Sequence, residues 1–135
     1  MGLATGALCR KLGANRIIGI DVVAERMKIA RDLGLCDSVL KSGPDNVAEV
    51  KELTGGFGVE RAVDCSAHPA ARATAIRATR KWGKIVFLGE GGTVEFNSPE
   101  TKVQVQFVNG DVPTYGALVV DDPSQFTQAE IFGFG

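Results

Sequence analysis

The stretch that decides the fold is the first one, MGLATGALCRKLGANRIIGID, residues 1–21. Residues 2–12 are small and apolar, and Arg10 and Lys11 come late, where cations favour a helix C-terminus. Gly13 and Ala14 end that helix. Residues 16–22 then form a β-branched run bounded by turn signals, the pattern of a buried strand. A helix opening at Gly2 and Leu3, followed by a strand that ends in Asp21, has the spacing of the second half of a dinucleotide-binding βαβ unit, a spacing that alone is a weak signal. In such a unit the last glycine of G-x-G-x-x-G lets the helix pack on the strand. An acidic residue about 20 positions on accepts from the adenosine ribose hydroxyls. A carboxylate there favours NAD over NADP, because it repels a 2′-phosphate. The spacing also fits an S-adenosylmethionine site, which uses a similar acid.

Downstream, the pattern repeats. Residues 24–33 form an amphipathic helix, with Met27, Ala30 and Leu33 or Ile29 on one face. Residues 37–40 are a short strand, and Pro44-Asp45-Asn46 opens a helix carrying Val47, Val50 and Leu53. Residues 59–66 are a strand. His68-Pro69 starts an Ala-rich helix to about Lys81, and residues 83–89 are a strand again. Continuous apolar strands alternating with helices predict an α/β fold, a parallel sheet buried on both faces with helices on each side. Residues 102–108 alternate strictly and read as a half-exposed edge strand. Residues 117–120 are one more strand, placed beside it rather than in the centre of the sheet.

Several of these segments carry a resemblance: GLATGALCRKLGANRIIGID, ERMKIARDLG, GVERAVDCS and GKIVFLGEGG. Together, in order, residues 2–109 resemble the cofactor domain of the zinc-dependent alcohol dehydrogenases, the medium-chain dehydrogenase/reductases that include sorbitol and threonine dehydrogenase types. The resemblance implies a Rossmann-like fold and hydride transfer between NAD and an alcohol or polyol. It implies a cofactor site made of Gly2, Leu3, Asp21, Arg26, Cys65, Ser66, Leu88, Gly89 and Glu90. Gly2 matches the last glycine of the turn, Leu3 lies under the pyrophosphate, and Arg26 lies near the ribose. Cys65 and Ser66 follow the strand that passes the cofactor, where Ala67-His68 replaces a glycine region. Leu88, Gly89 and Glu90 match the turn facing the nicotinamide amide.

The departures from the family set further expectations. The first sheet strand and the earlier glycines have no counterpart ahead of Gly2, so the reading frame is expected to start inside a longer ancestral enzyme. The family's zinc ligands belong to a separate domain, and this chain, with His68 its sole histidine, is expected to hold no zinc set. No residue is assigned a catalytic role, and the chain is expected to be inactive alone. Residues 1–110 are read as a partial NAD-binding domain and residues 111–135 as a divergent tail, not a separate domain.

The remaining side chains are read structurally. His68 is a helix-start residue, Asp64 a strand-end acid or else a cofactor neighbour, and Trp82 a packing residue. Asp111, Asp121 and Asp122 are turn acids. Cys9, Cys36 and Cys65 are small buried thiols, since three widely spaced cysteines suit neither a disulfide scaffold nor a zinc knuckle.

Composition narrows the alternatives. A formal net charge of −1 gives no footprint for nucleic acid. No apolar run approaches the roughly 18 residues that span a membrane, and no signal peptide is read, so the cytoplasm is the expected location. The competing function is a non-catalytic remnant that associates with itself or with a full-length paralogue through strand edges.

Overall fold

The computed structural model describes residues 1–88, 103–107 and 117–119. Gly89 and Glu90 of the expected cofactor turn, and Asp111, Asp121 and Asp122, lie outside the described residues. The chain divides into two compact units, Met1–Asn46 and Val47–Gly135.

The first unit alternates helix and strand: α1 (Gly2–Lys11), β1 (Ile18–Asp21), α2 (Ala24–Asp32) and β2 (Ser38–Lys41). β1 and β2 pair in parallel with Ile18 opposite Ser38 and Asp21 opposite Lys41. Arg10 and Lys11 occupy the last turn of α1, where their charge complements the helix dipole. In α2 the buried stripe is Met27 and Ala30, three residues apart and so on one face. Ile29 and Leu33 are exposed, Leu33 because the helix stops at Asp32 and the chain turns at Gly34.

The second unit contains α3 (Asn46–Leu53, whose first residue belongs to the first unit), β3 (Val59–Asp64), α4 (Pro69–Ala78), β4 (Thr79–Phe87), β5 (Val103–Phe107) and β6 (Ala117–Val119). The sheet order is β3-β4-β5-β6; β3, β4 and β5 are parallel and β6 is antiparallel to β5. Ile85 and Phe87 on β4 and Ile76 on α4 are buried and form the apolar centre of this unit. His68 caps α4, its Nδ1 accepting from Ala70 N at 3.2 Å, and Pro69 fills the first helical position, where a missing N–H has no cost.

The architecture is the expected α/β, Rossmann-like alternation, with three differences of placement. β5 is an interior strand, not an edge, because β6 pairs with its outer side. Ile20 and Val63 are exposed by more than a third, not buried on both faces, because β1 and β3 each have one strand neighbour among the described residues. The helix before β4 stops at Ala78 rather than near Lys81, since Thr79 is already paired with Val59.

Trp82 does not pack. Between the pairs Val59–Thr79 and Arg61–Lys84 the single residue Glu60 faces residues 80–83, so the chain bulges outward there. Trp82 sits on that bulge with φ 63° and is 71% exposed. Among the described residues no helix is long and apolar enough to cross a membrane.

Candidate functional site

In the first unit the site begins where β1 ends. Asp21 is the last strand residue, and its Oδ1 accepts from Val23 N at 2.9 Å, which fixes the carboxylate over the turn into α2. Arg26, on the first turns of α2, pairs with the same oxygen at 3.1 Å, so the structure brings Asp21 and Arg26 together. Both side chains remain partly open to solvent.

Gly2 and Leu3 form the start of α1. This helix has no side-chain cap, and its first intrahelical bond runs from Thr5 N to Met1 O, so the N–H groups before Thr5 point out of the helix end. A Cβ built on Gly2 meets nothing within 4 Å. Cβ atoms at Gly6 of α1 and Gly19 of β1 would stand 3.7 Å from Leu35 Cβ and 2.8 Å from Cys36 Sγ, so both elements pack against the loop after α2, Gly19 the more tightly.

Two titratable groups flank that contact. Burial pushes the Cys36 thiol up, with Asp37 and Cys9 adding to the rise and Arg10 opposing it. Asp37 is held below the usual carboxylate range by the hydrogen bond from Ile17 N, at 2.7 Å, and by Arg10, at 2.8 Å. Cys9, Cys36 and Cys65 are half-buried rather than buried; Cys9 lies late in α1, and Cys36 and Cys65 lie in turns.

In the second unit the carboxylate of Asp64 organises the turn after β3. Its Oδ1 accepts from Ser66 N at 3.0 Å and Ser66 Oγ at 2.6 Å, and its Oδ2 accepts from Ala67 N at 3.2 Å. The Asp64 carbonyl accepts from Leu88 N at 2.8 Å. Ser66 and Leu88, two of the expected site residues, are therefore joined through Asp64. Cys65 lies between Asp64 and Ser66 in the chain, half-buried at the start of the turn.

Arg72 is the residue that sequence reading missed. Its Nε reaches Asp64 Oδ2 at 3.3 Å, and its guanidinium lies 5.2 Å from the centre of the Phe87 ring. The available signal was its position four residues before the buried Ile76, on the apolar face of an Ala-rich helix. Among the described residues no three His, Cys, Asp or Glu side chains come together as metal ligands, so the described part does not fit a zinc ion and no step is derived through one.

The comparisons with known proteins point one way. The family described as zinc-binding dehydrogenase matches residues 1–130. An uncharacterized zinc-type alcohol dehydrogenase-like protein of Escherichia coli strain K12 is 38% identical over 97 residues, 71% of this chain and 27% of that protein. The L-threonine 3-dehydrogenase of Bacillus velezensis is 30% identical over 119 residues, 88% of this chain and 32% of that one. Among solved structures, benzyl alcohol dehydrogenase from Acinetobacter calcoaceticus superposes with a TM-score of 0.66 at 31% identity, covering 73% of this chain and 28% of its own. A mycobacterial protein solved in complex with NADPH gives a TM-score of 0.66 at 26% identity, covering 78% of this chain and 35% of its own. The chain thus spans about a quarter to a third of the length of these relatives. With its α/β order, its strand-end Asp21 and a family match over residues 1–130, the chain belongs to the zinc-binding dehydrogenase family and corresponds to that family's cofactor-binding domain.

Proposed function

We propose that this chain binds a nicotinamide dinucleotide, NAD in preference to NADP, as the cofactor-binding part of an alcohol or polyol dehydrogenase. The observation that carries the reading is Asp21. It stands at the C-terminal end of a parallel strand, where open α/β sheets bind ligands, with Oδ1 already fixed by Val23 N and Arg26. Its second oxygen is then the acceptor for the adenosine ribose hydroxyls, and the carboxylate repels a 2′-phosphate.

Gly2 and Leu3 at the start of α1 fit the same reading, since the positive end of a helix dipole suits a pyrophosphate. Arg26 restrains the Asp21 carboxylate; in the second unit, Cys65, Ser66 and Leu88 are kept as proposed cofactor-binding residues. The bound cofactor supplies the hydride chemistry; the residues of this chain bind and orient it. None of the described residues is assigned a catalytic role, and turnover is expected to need a zinc-bearing domain.

An NADH titration followed by energy transfer from Trp82, the sole tryptophan, tests this, with NADPH and S-adenosylmethionine in parallel. Saturable NADH binding that Asp21→Ala weakens by about tenfold, or about 1.4 kcal/mol, is the expected result. A cooperatively folded chain that ignores NADH, or that prefers S-adenosylmethionine, overturns the reading.

A further inference from the structure

Asp64 is bonded in more directions than a strand end requires. Oδ1 accepts from the backbone and hydroxyl of Ser66, Oδ2 accepts from Ala67 N and Arg72 Nε, and the Asp64 carbonyl accepts from Leu88 N. Leu88 is the residue just past β4. One residue therefore ties down the turn after β3 and the exit of β4, where two adjacent parallel strands release the chain at their C-terminal ends. Ligands of open α/β sheets lie outside those ends.

The turn needs holding. Ala67 has φ 61°, a left-handed conformation that crowds an alanine Cβ against the backbone and that few residues other than glycine adopt unaided. The carboxylate supplies the restraint through Ala67 N and both Ser66 donors. Ser66 Oγ extends it by accepting from His68 N at 3.1 Å, which links the turn to the cap of α4. Arg72 then braces the carboxylate from behind. It rests against Phe87, the last residue of β4, so the same pair relates the turn to the strand beside it.

We propose that Asp64 and Arg72 are positioning residues: as a buried charge pair they hold residues 65–68 at a set distance from Leu88, and a nicotinamide dinucleotide is the ligand for which the turn is held. The ligand class rests on the proposed function above; the positioning of the turn does not.

Two variants of the full chain test this. Asp64→Asn keeps the shape and removes the charge, and Arg72→Lys keeps the charge and removes the planar fork. One readout is the NADH titration. The other is the rate of iodoacetamide alkylation at Cys65, the first residue of the turn, compared by peptide mass with Cys9 and Cys36 of the same molecule. In both variants Cys65 is expected to react several-fold faster while Cys9 and Cys36 keep their wild-type rates, and NADH affinity is expected to fall about tenfold.

Unchanged Cys65 rates overturn the positioning role. Equal acceleration at all three cysteines overturns it too, since that marks general loosening. Selective acceleration at Cys65 with unaltered NADH affinity removes the ligand from the proposal. Selective acceleration in a chain whose wild type ignores NADH leaves the positioning role standing and sinks the dinucleotide reading. Should Asp64→Asn fail to fold, Arg72→Lys decides by the same readouts.

Discussion

Asp64 and Arg72 form an ion pair at 3.3 Å with side chains only 3% and 6% exposed. A charge so far from water is stable in place only while its partner and its hydrogen bonds remain. The carboxylate keeps two turn N–H groups and a hydroxyl, and the guanidinium keeps the face of Phe87. The pair is therefore a structural dependence more than a source of net stability, because its mutual attraction is set against the loss of hydration on both sides.

Removing one partner exposes that dependence. Arg72→Ala leaves the Asp64 carboxylate buried without its countercharge and deletes the contact with Phe87, so a loss of about 3–5 kcal/mol is expected. Urea unfolding followed by circular dichroism measures it. A loss below about 1 kcal/mol is the size expected of a surface pair and would contradict the burial described.

Gly58 and Gly56 share a turn and separate two kinds of strain. Both have positive φ, 91° and 87°. A Cβ at Gly58 would stand 2.5 Å from Ala78 O and 3.0 Å from Arg80 N, whereas a Cβ at Gly56 meets nothing within 4 Å. Gly56→Ala is expected to cost about 1 kcal/mol from backbone conformation alone. Gly58→Ala adds a clash with backbone that cannot rotate away, and is expected to cost at least about 2 kcal/mol. Thermal unfolding of the two variants checks the order; equal midpoints would refute the close approach of the turn to the start of β4.

Asp37 makes the first unit sensitive to acid. Its folded pKa is lowered by the Ile17 N–H and by Arg10, so folding favours the charged form. The contribution is complete well above the ordinary aspartate value of about 3.9 and is lost as pH falls through the lower folded value. Wild-type stability is therefore expected to decline more steeply than that of Asp37→Asn as pH is lowered toward that range. Arg10→Ala is expected to raise the Asp37 pKa toward normal, which NMR titration of the side-chain carboxyl measures directly. An unchanged value in Arg10→Ala would show the Ile17 bond acting without the 2.8 Å ion pair.

Much of this was legible in the chain. The order of α1 to β4 follows from local signals: apolar runs, Gly13 and Gly34 after helices, and His68-Pro69 before one. That a strand would end in Asp21 was legible too, since the apolar run before it is a short-range feature. Tertiary structure decided the rest. The alternation in residues 103–107 is the same for an edge and an interior strand; the strand read at residues 117–120 does pair beside it, and that pairing makes β5 interior. Trp82 looked like packing because tryptophan usually packs, yet the mismatch in register between β3 and β4 pushes it outward. Arg72 read as one more charge on a helix. Its burial follows from a carboxylate eight residues earlier and an aromatic ring fifteen residues later, and both arrive only when β3, α4 and β4 close on one another. Local propensity and periodicity act over a few residues and are written in the sequence; the pairing of charges and the choice of strand neighbours depend on contacts between distant segments, which exist only in the folded chain.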